Sequence, residues 1–150
     1  MKRPFLKSSL NHPPVPVPDP LESCIELHCR QQIPLARQLV LRMAEQTGMR
    51  RVTAYYAATA VSEMASNLVF HAGGGIIRVS TLIEADRWGL DLEAEDTGPG
   101  IPDLELALRD GYSTRGSLGA GLGGIRRLMD GFEINTSPQG TRIRAWKWQT

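Results

Sequence analysis

Apolar and polar positions repeat with clear periods along most of the chain. Over residues 22–29, Ile25 and Leu27 alternate with Glu22, Glu26 and His28, the period of a strand with one wet face. Pro34 suits a helix start, Leu35, Leu39, Val40 and Met43 supply an apolar face, and Gly48 suits a C-terminal stop. A second helix is predicted over about residues 51–70, ended by Gly73-Gly74-Gly75. Residues 76–84 and 88–96 read as two strands turning at Asp86-Arg87. A Pro- and Gly-bearing loop covers about 97–118, with a short helical piece near Leu104–Arg109. A third helix runs from the following glycines to near Gly131, and closing strands over 132–137 and 141–148 meet across Pro138-Gln139-Gly140.

The order is strand, two helices, hairpin, loop, helix, hairpin. No strand–helix alternation runs through it, which argues against a Rossmann fold. The pattern predicts an α+β two-layer sandwich, with helices on one face of a mixed, mostly antiparallel sheet. Residues 1–20 carry Pro13, Pro14, Pro16, Pro18 and Pro20 and are expected to form a disordered tail, leaving 21–150 as a single domain.

Composition narrows the function classes. A formal net charge of +1 gives no electrostatic case for nucleic acid or for an acidic membrane surface. No apolar run reaches the roughly 18 residues of a membrane span. The two cysteines, Cys24 and Cys29, fit no zinc or redox spacing, and His12, His28 and His71 fit no metal spacing. A reduced, cytoplasmic protein is the simplest expectation.

The densest chemical signal is the run Gly116-Ser-Leu-Gly119-Ala120-Gly121-Leu122-Gly123-Gly124, which leads straight into an amphipathic stretch. Glycine-rich backbone opening onto a helix presents free N–H groups to an anion, and the first expectation is phosphate. No Gly-Lys-Ser/Thr closes the run, so it is not a P-loop. On the second helix, Glu63 and Asn67 are four apart and share a face. They read either as a polar stripe or as a carboxylate that accepts a proton beside a neutral oxygen ligand suited to Mg²⁺. On the 88–96 strand, Trp88, Leu90, Leu92 and Ala94 hold the core parity, and Asp96 shares it. An inward carboxylate beside Thr97-Gly98-Pro99-Gly100 either caps that turn or accepts from an adenine amino group. Thr141 has the parity of Ile143 and Ala145, so its hydroxyl also faces inward. Trp146 and Trp148 share the opposite face with Arg142 and Arg144. That face reads either as a partner or homodimer surface, or as local cover with the arginines paired to Asp91, Glu93 or Glu95.

In this order the four pieces resemble the GHKL, or Bergerat-fold, family of ATP-binding proteins. Glu63–Asn67 matches its N box, Asp96–Gly100 its first glycine box, Gly116–Gly123 its second, and Gly140-Thr141 its last. The likeness covers about residues 50–148, and the element order extends it to about 22. It implies ATP and Mg²⁺ as cofactors, with Glu63 as general base, Asn67 on the metal and Asp96 reading adenine. It also places Gly98, Gly100, Gly116, Gly119, Ala120, Gly121, Leu122 and Thr141 around the nucleotide. Arg115 is proposed as a cation on the lid, with Arg109, Ser113 and Thr114 also considered there. A single small domain with a short lid is most similar to the anti-sigma-factor and switch-kinase branch, nearest to stressosome switch kinases. That implies a serine/threonine kinase acting on a small STAS-domain antagonist, and activation of a downstream phosphatase once released. The alternatives are an anti-sigma factor sequestering a sigma subunit, and an ATP-sensing binding module with little catalysis.

Overall fold

The computed structural model describes residues 21–109 and 121–149. The 1–20 stretch, with its expected tail, lies outside the described residues. Strand β1 (Glu22–Leu27) leads through a 3₁₀ turn (Arg30–Gln32) into helices α1 (Ile33–Thr47) and α2 (Arg51–Ala72). Strands β2 (Gly75–Glu84) and β3 (Arg87–Asp96) follow, then α3 (Leu104–Ala107), α4 (Gly121–Leu128), β4 (Gly131–Ser137) and β5 (Gly140–Trp148).

Local chemistry sets the helix ends. Pro34 sits in the first turn of α1, and Gly48 caps the helix in the left-handed conformation at φ 80. Gly73 ends α2 in the same way at φ 78. The buried stripe of α1 is Ala36, Val40, Met43, Ala44 and Thr47. Leu35, expected on the apolar face, is instead 42% exposed, because the stripe is centred one residue later, on Ala36. Helix α2 buries five alanines and a serial set of larger side chains, including Val61, Met64 and Leu68. Small residues let it lie close to both α1 and the sheet.

The sheet order is β1-β2-β3-β5-β4, and all four pairings are antiparallel. The mixed sheet expected from the sequence is therefore corrected. A connection containing a helix usually joins parallel neighbours. Here β4 does run parallel to β3, but β5 folds back between them. The hairpin turn falls on Ala85-Asp86, one residue before its expected place, with Ala85 at φ 54. Leu27, Ile77, Val79, Leu90, Leu92, Ile143 and Ala145 face the helices and form the core with them. Among the described residues, no helix is long and apolar enough to cross a membrane.

The opposite face is a lattice of charge. Arg144 Nε donates to both oxygens of Asp91 at 3.0 Å, Arg142 pairs with Glu93, and Arg78 reaches Glu93 and Glu95. Burial pushes the Asp91 carboxyl above its ordinary range, while Arg144 pulls the other way. Trp148 is 7% exposed, with Arg87 3.9 Å over its ring, and Arg144 lies 4.7 Å over Trp146. The arginines thus make the cross-strand pairs that the cover alternative expects, with Arg87 and Arg144 lying over the tryptophans.

Gly89 has a structural purpose at the same end of the sheet. A Cβ there would lie 2.0 Å from the Lys147 carbonyl oxygen and 2.8 Å from Trp148 Cα. Gly89→Ala is expected to cost about 1–3 kcal/mol of stability through backbone displacement. A urea denaturation curve with a lowered midpoint and unchanged slope checks this.

Candidate active site

A cavity of about 270 Å³ opens between α2, the ends of β3 and β5, and the segment around residues 99–107. Glu63, Asn67, Asp96, Gly100, Gly121, Leu122 and Thr141 all line it, although they come from five separate parts of the chain. Leu68, Ala94, Ile101, Leu106 and Ile143 supply apolar walls. Apolar walls with a few inward polar groups are the usual make-up of a small-molecule site.

Asp96 closes one end. Its Oδ1 accepts from the Gly98 N–H at 2.8 Å and from the Thr141 N–H at 3.2 Å. Among the described residues both hydrogen bonds fall on Oδ1, and neither falls on Oδ2. Of the two sequence alternatives for Asp96, the turn cap is seen directly, and the same carboxylate lines the cavity. Gly98 does not itself line the cavity. It lets the turn press on α2, where a Cβ would lie 2.8 Å from the Ala72 Cβ. Gly100 adopts φ +87, and a Cβ there would sit 2.2 Å from the Ser137 carbonyl oxygen. Gly140, at φ +149, lies against the Asp96 carbonyl oxygen in the same manner.

Helix α2 carries the rest of the polar set. Ala72 abuts the Asp96 turn, and Glu63 lies nine residues earlier on the same helix. At 1.5 Å per residue that is roughly 13 Å along the axis. Asn67 sits between them and lines the cavity with Glu63. Glu63 is 7% exposed, a buried carboxylate on the cavity wall. His71, one turn beyond Asn67, also lines the cavity from the last turn of α2. The site is therefore elongated, with a hydrogen-bond acceptor at one end and a carboxylate–carboxamide pair towards the other.

The second glycine run is only partly described. Arg115, Gly116, Gly119 and Ala120 lie outside the described residues, as do Ser113 and Thr114. Gly121 opens α4 at φ 68 and lines the cavity with Leu122. Gly123 serves packing, since a Cβ there would lie 2.9 Å from the Leu108 carbonyl oxygen.

One contributor was missed by sequence reasoning. Thr136 of β4 stands opposite Thr141, with their hydroxyl oxygens 2.8 Å apart, and its Oγ1 also accepts from the Ile101 N–H at 2.9 Å. The only signal for it was its place across the last hairpin, which needs the register to be seen.

Residues 26–147 match the family described as histidine kinase-like ATPase domain. The serine/threonine-protein kinase RsbT of Bacillus subtilis is 42% identical over 128 residues, covering 85% of this chain and 96% of that protein. The anti-sigma F factor of a Thermoanaerobacter species is 32% identical over 97 residues, covering 60% of this chain and 66% of its own length. Among solved structures, the RsbU and RsbW domains of a Mycobacterium tuberculosis protein superpose with a TM-score of 0.57 at 15% identity. That match spans 83% of this chain and 32% of the other, and it bears on the fold alone.

Proposed function

The chain belongs to the histidine kinase-like ATPase domain family, and on that premise we propose that it is an ATP-dependent serine/threonine-protein kinase of a partner-switching pathway, acting on a small STAS-domain protein. The observation that carries this reading is the single cavity that unites Glu63, Asn67, Asp96 and Thr141. Likeness to RsbT over most of both chains favours a kinase over simple sequestration.

Asp96 and Thr141 take the base end, where a carboxylate oxygen accepts from the exocyclic amino group of adenine. The apolar walls cover the ring. Gly121 and Leu122, at the start of α4, line the cavity on what would be the phosphate side. The Asn67 side-chain oxygen would hold Mg²⁺. An ion of that kind takes most of its shell from phosphates and water, so one side-chain oxygen suffices. Bound there, Mg²⁺ would neutralise charge on the phosphates.

Glu63 accepts the proton of the partner's serine or threonine hydroxyl as that oxygen attacks the γ-phosphorus. The bond to the β–γ bridging oxygen breaks, ADP leaves, and the partner keeps the phosphoryl group. The work of the chain is placement and charge stabilisation. A cytoplasmic setting and release to a phosphatase complete the reading.

Incubation of the chain with γ-labelled ATP and a STAS-domain protein tests it. Label on a serine or threonine of the STAS protein supports the kinase. ATP binding without transfer, together with capture of a sigma subunit, moves the assignment to the anti-sigma alternative, which the likeness to anti-sigma F factors supplies.

A further inference from the structure

Thr136 is not part of the cavity wall, yet its one hydroxyl touches two residues that are. Ile101 and Thr141 both line the cavity. Thr136 Oγ1 accepts from the backbone N–H of the first at 2.9 Å and lies 2.8 Å from the hydroxyl oxygen of the second. The pairing is built in by the fold. Thr136 and Thr141 are direct cross-strand partners in the β4–β5 register. Gly100 comes so close to β4 that a Cβ on it would sit 3.2 Å from Thr136 Oγ1, and this approach brings the next N–H within reach.

From this geometry we infer that Thr136 is a positioning residue for nucleotide binding. A threonine hydroxyl rotates freely unless a partner holds it. Thr136 holds that of Thr141, and the same oxygen fixes the backbone where the segment from Ile101 begins. Two walls of the cavity, β5 and the end of the Asp96–Gly100 turn, are thus locked to each other through one side chain that never meets the ligand. The inference rests on the ATP reading of the cavity.

Calorimetric titration of the full chain with ATP tests it, using Thr136→Val, which keeps the shape and removes the hydroxyl, and Thr136→Ser, which restores it. Thr136→Val is expected to weaken ATP binding about tenfold, the size of one lost, half-buried hydrogen-bond arrangement. Thr136→Ser is expected to stay within about twofold of the parental chain, since the donor and acceptor inventory is the same. Thr136→Ala takes the place of the valine variant if the latter does not fold. Equal ATP affinity in the valine and parental chains overturns the inference alone, as does a serine variant that is as weak as valine. No ATP binding by the parental chain overturns the nucleotide reading and this inference with it.

Discussion

Glu63→Gln is expected to slow phosphoryl transfer to the STAS-domain partner by about 10²–10⁴-fold, with ATP affinity close to parental. Glutamine keeps the size and one carbonyl oxygen of glutamate but cannot take up a proton. Glu63 is 7% exposed and lines the cavity on the face shared with Asn67, away from the Asp96 end. Removing its charge therefore leaves the base contacts and apolar walls intact. Single-turnover transfer from labelled ATP, paired with calorimetric binding, separates the two quantities. Transfer at the parental rate would remove Glu63 from its role as base. An equal fall in rate and affinity would make it a ligand-binding group instead.

The parts of this site that were legible in the sequence are those written in local periods and caps. Gly48 and Gly73 end their helices as left-handed caps because only glycine takes that conformation without a Cβ penalty. The i, i+4 spacing placed Glu63 beside Asn67, and strand parity turned Asp96 and Thr141 inward, where the cavity lies. What was not legible depends on partners distant in the chain. Nothing in residues 131–148 says that β5 rather than β4 will neighbour β3, and the sheet's wholly antiparallel pairing follows from that choice. Thr136 gains its contacts only once β4 and the Gly100 turn are brought together. Gly98 was expected at the nucleotide, but its missing Cβ makes room for Ala72. The tryptophan face left two alternatives open because cover and interface share one pattern. Cross-strand register supplies the pairing that the cover alternative needs, by setting Asp91 and Glu93 within reach of Arg144 and Arg142.

Asp96→Asn is expected to weaken ATP binding by about 10²-fold or more and to narrow the preference for ATP over ITP. The fold dictates which way the amide lies. Gly98 N–H and Thr141 N–H both point at Oδ1, and two donors there require the carbonyl oxygen of asparagine in that place. The amino group then occupies the position of Oδ2, the oxygen that the proposed reading gives to the base. Against adenine, a donor meets a donor, so a hydrogen bond to a charged acceptor is lost and the two N–H groups repel. A lost bond to a charged group is worth about 1.5–3 kcal/mol, and an unpaired donor adds a further penalty. Each 1.4 kcal/mol is about tenfold in affinity. Hypoxanthine presents a carbonyl where adenine has its amino group, so the same amide suits ITP better than the carboxylate did. Calorimetry with both nucleotides reads the ratio directly. Equal losses for ATP and ITP would mean that Asp96 supports the turn but does not read the base. Asp96→Ala separates these two duties further. It leaves both backbone N–H groups without their acceptor, so it is expected to lower the urea midpoint as well as the affinity, whereas asparagine lowers the affinity with the turn kept intact.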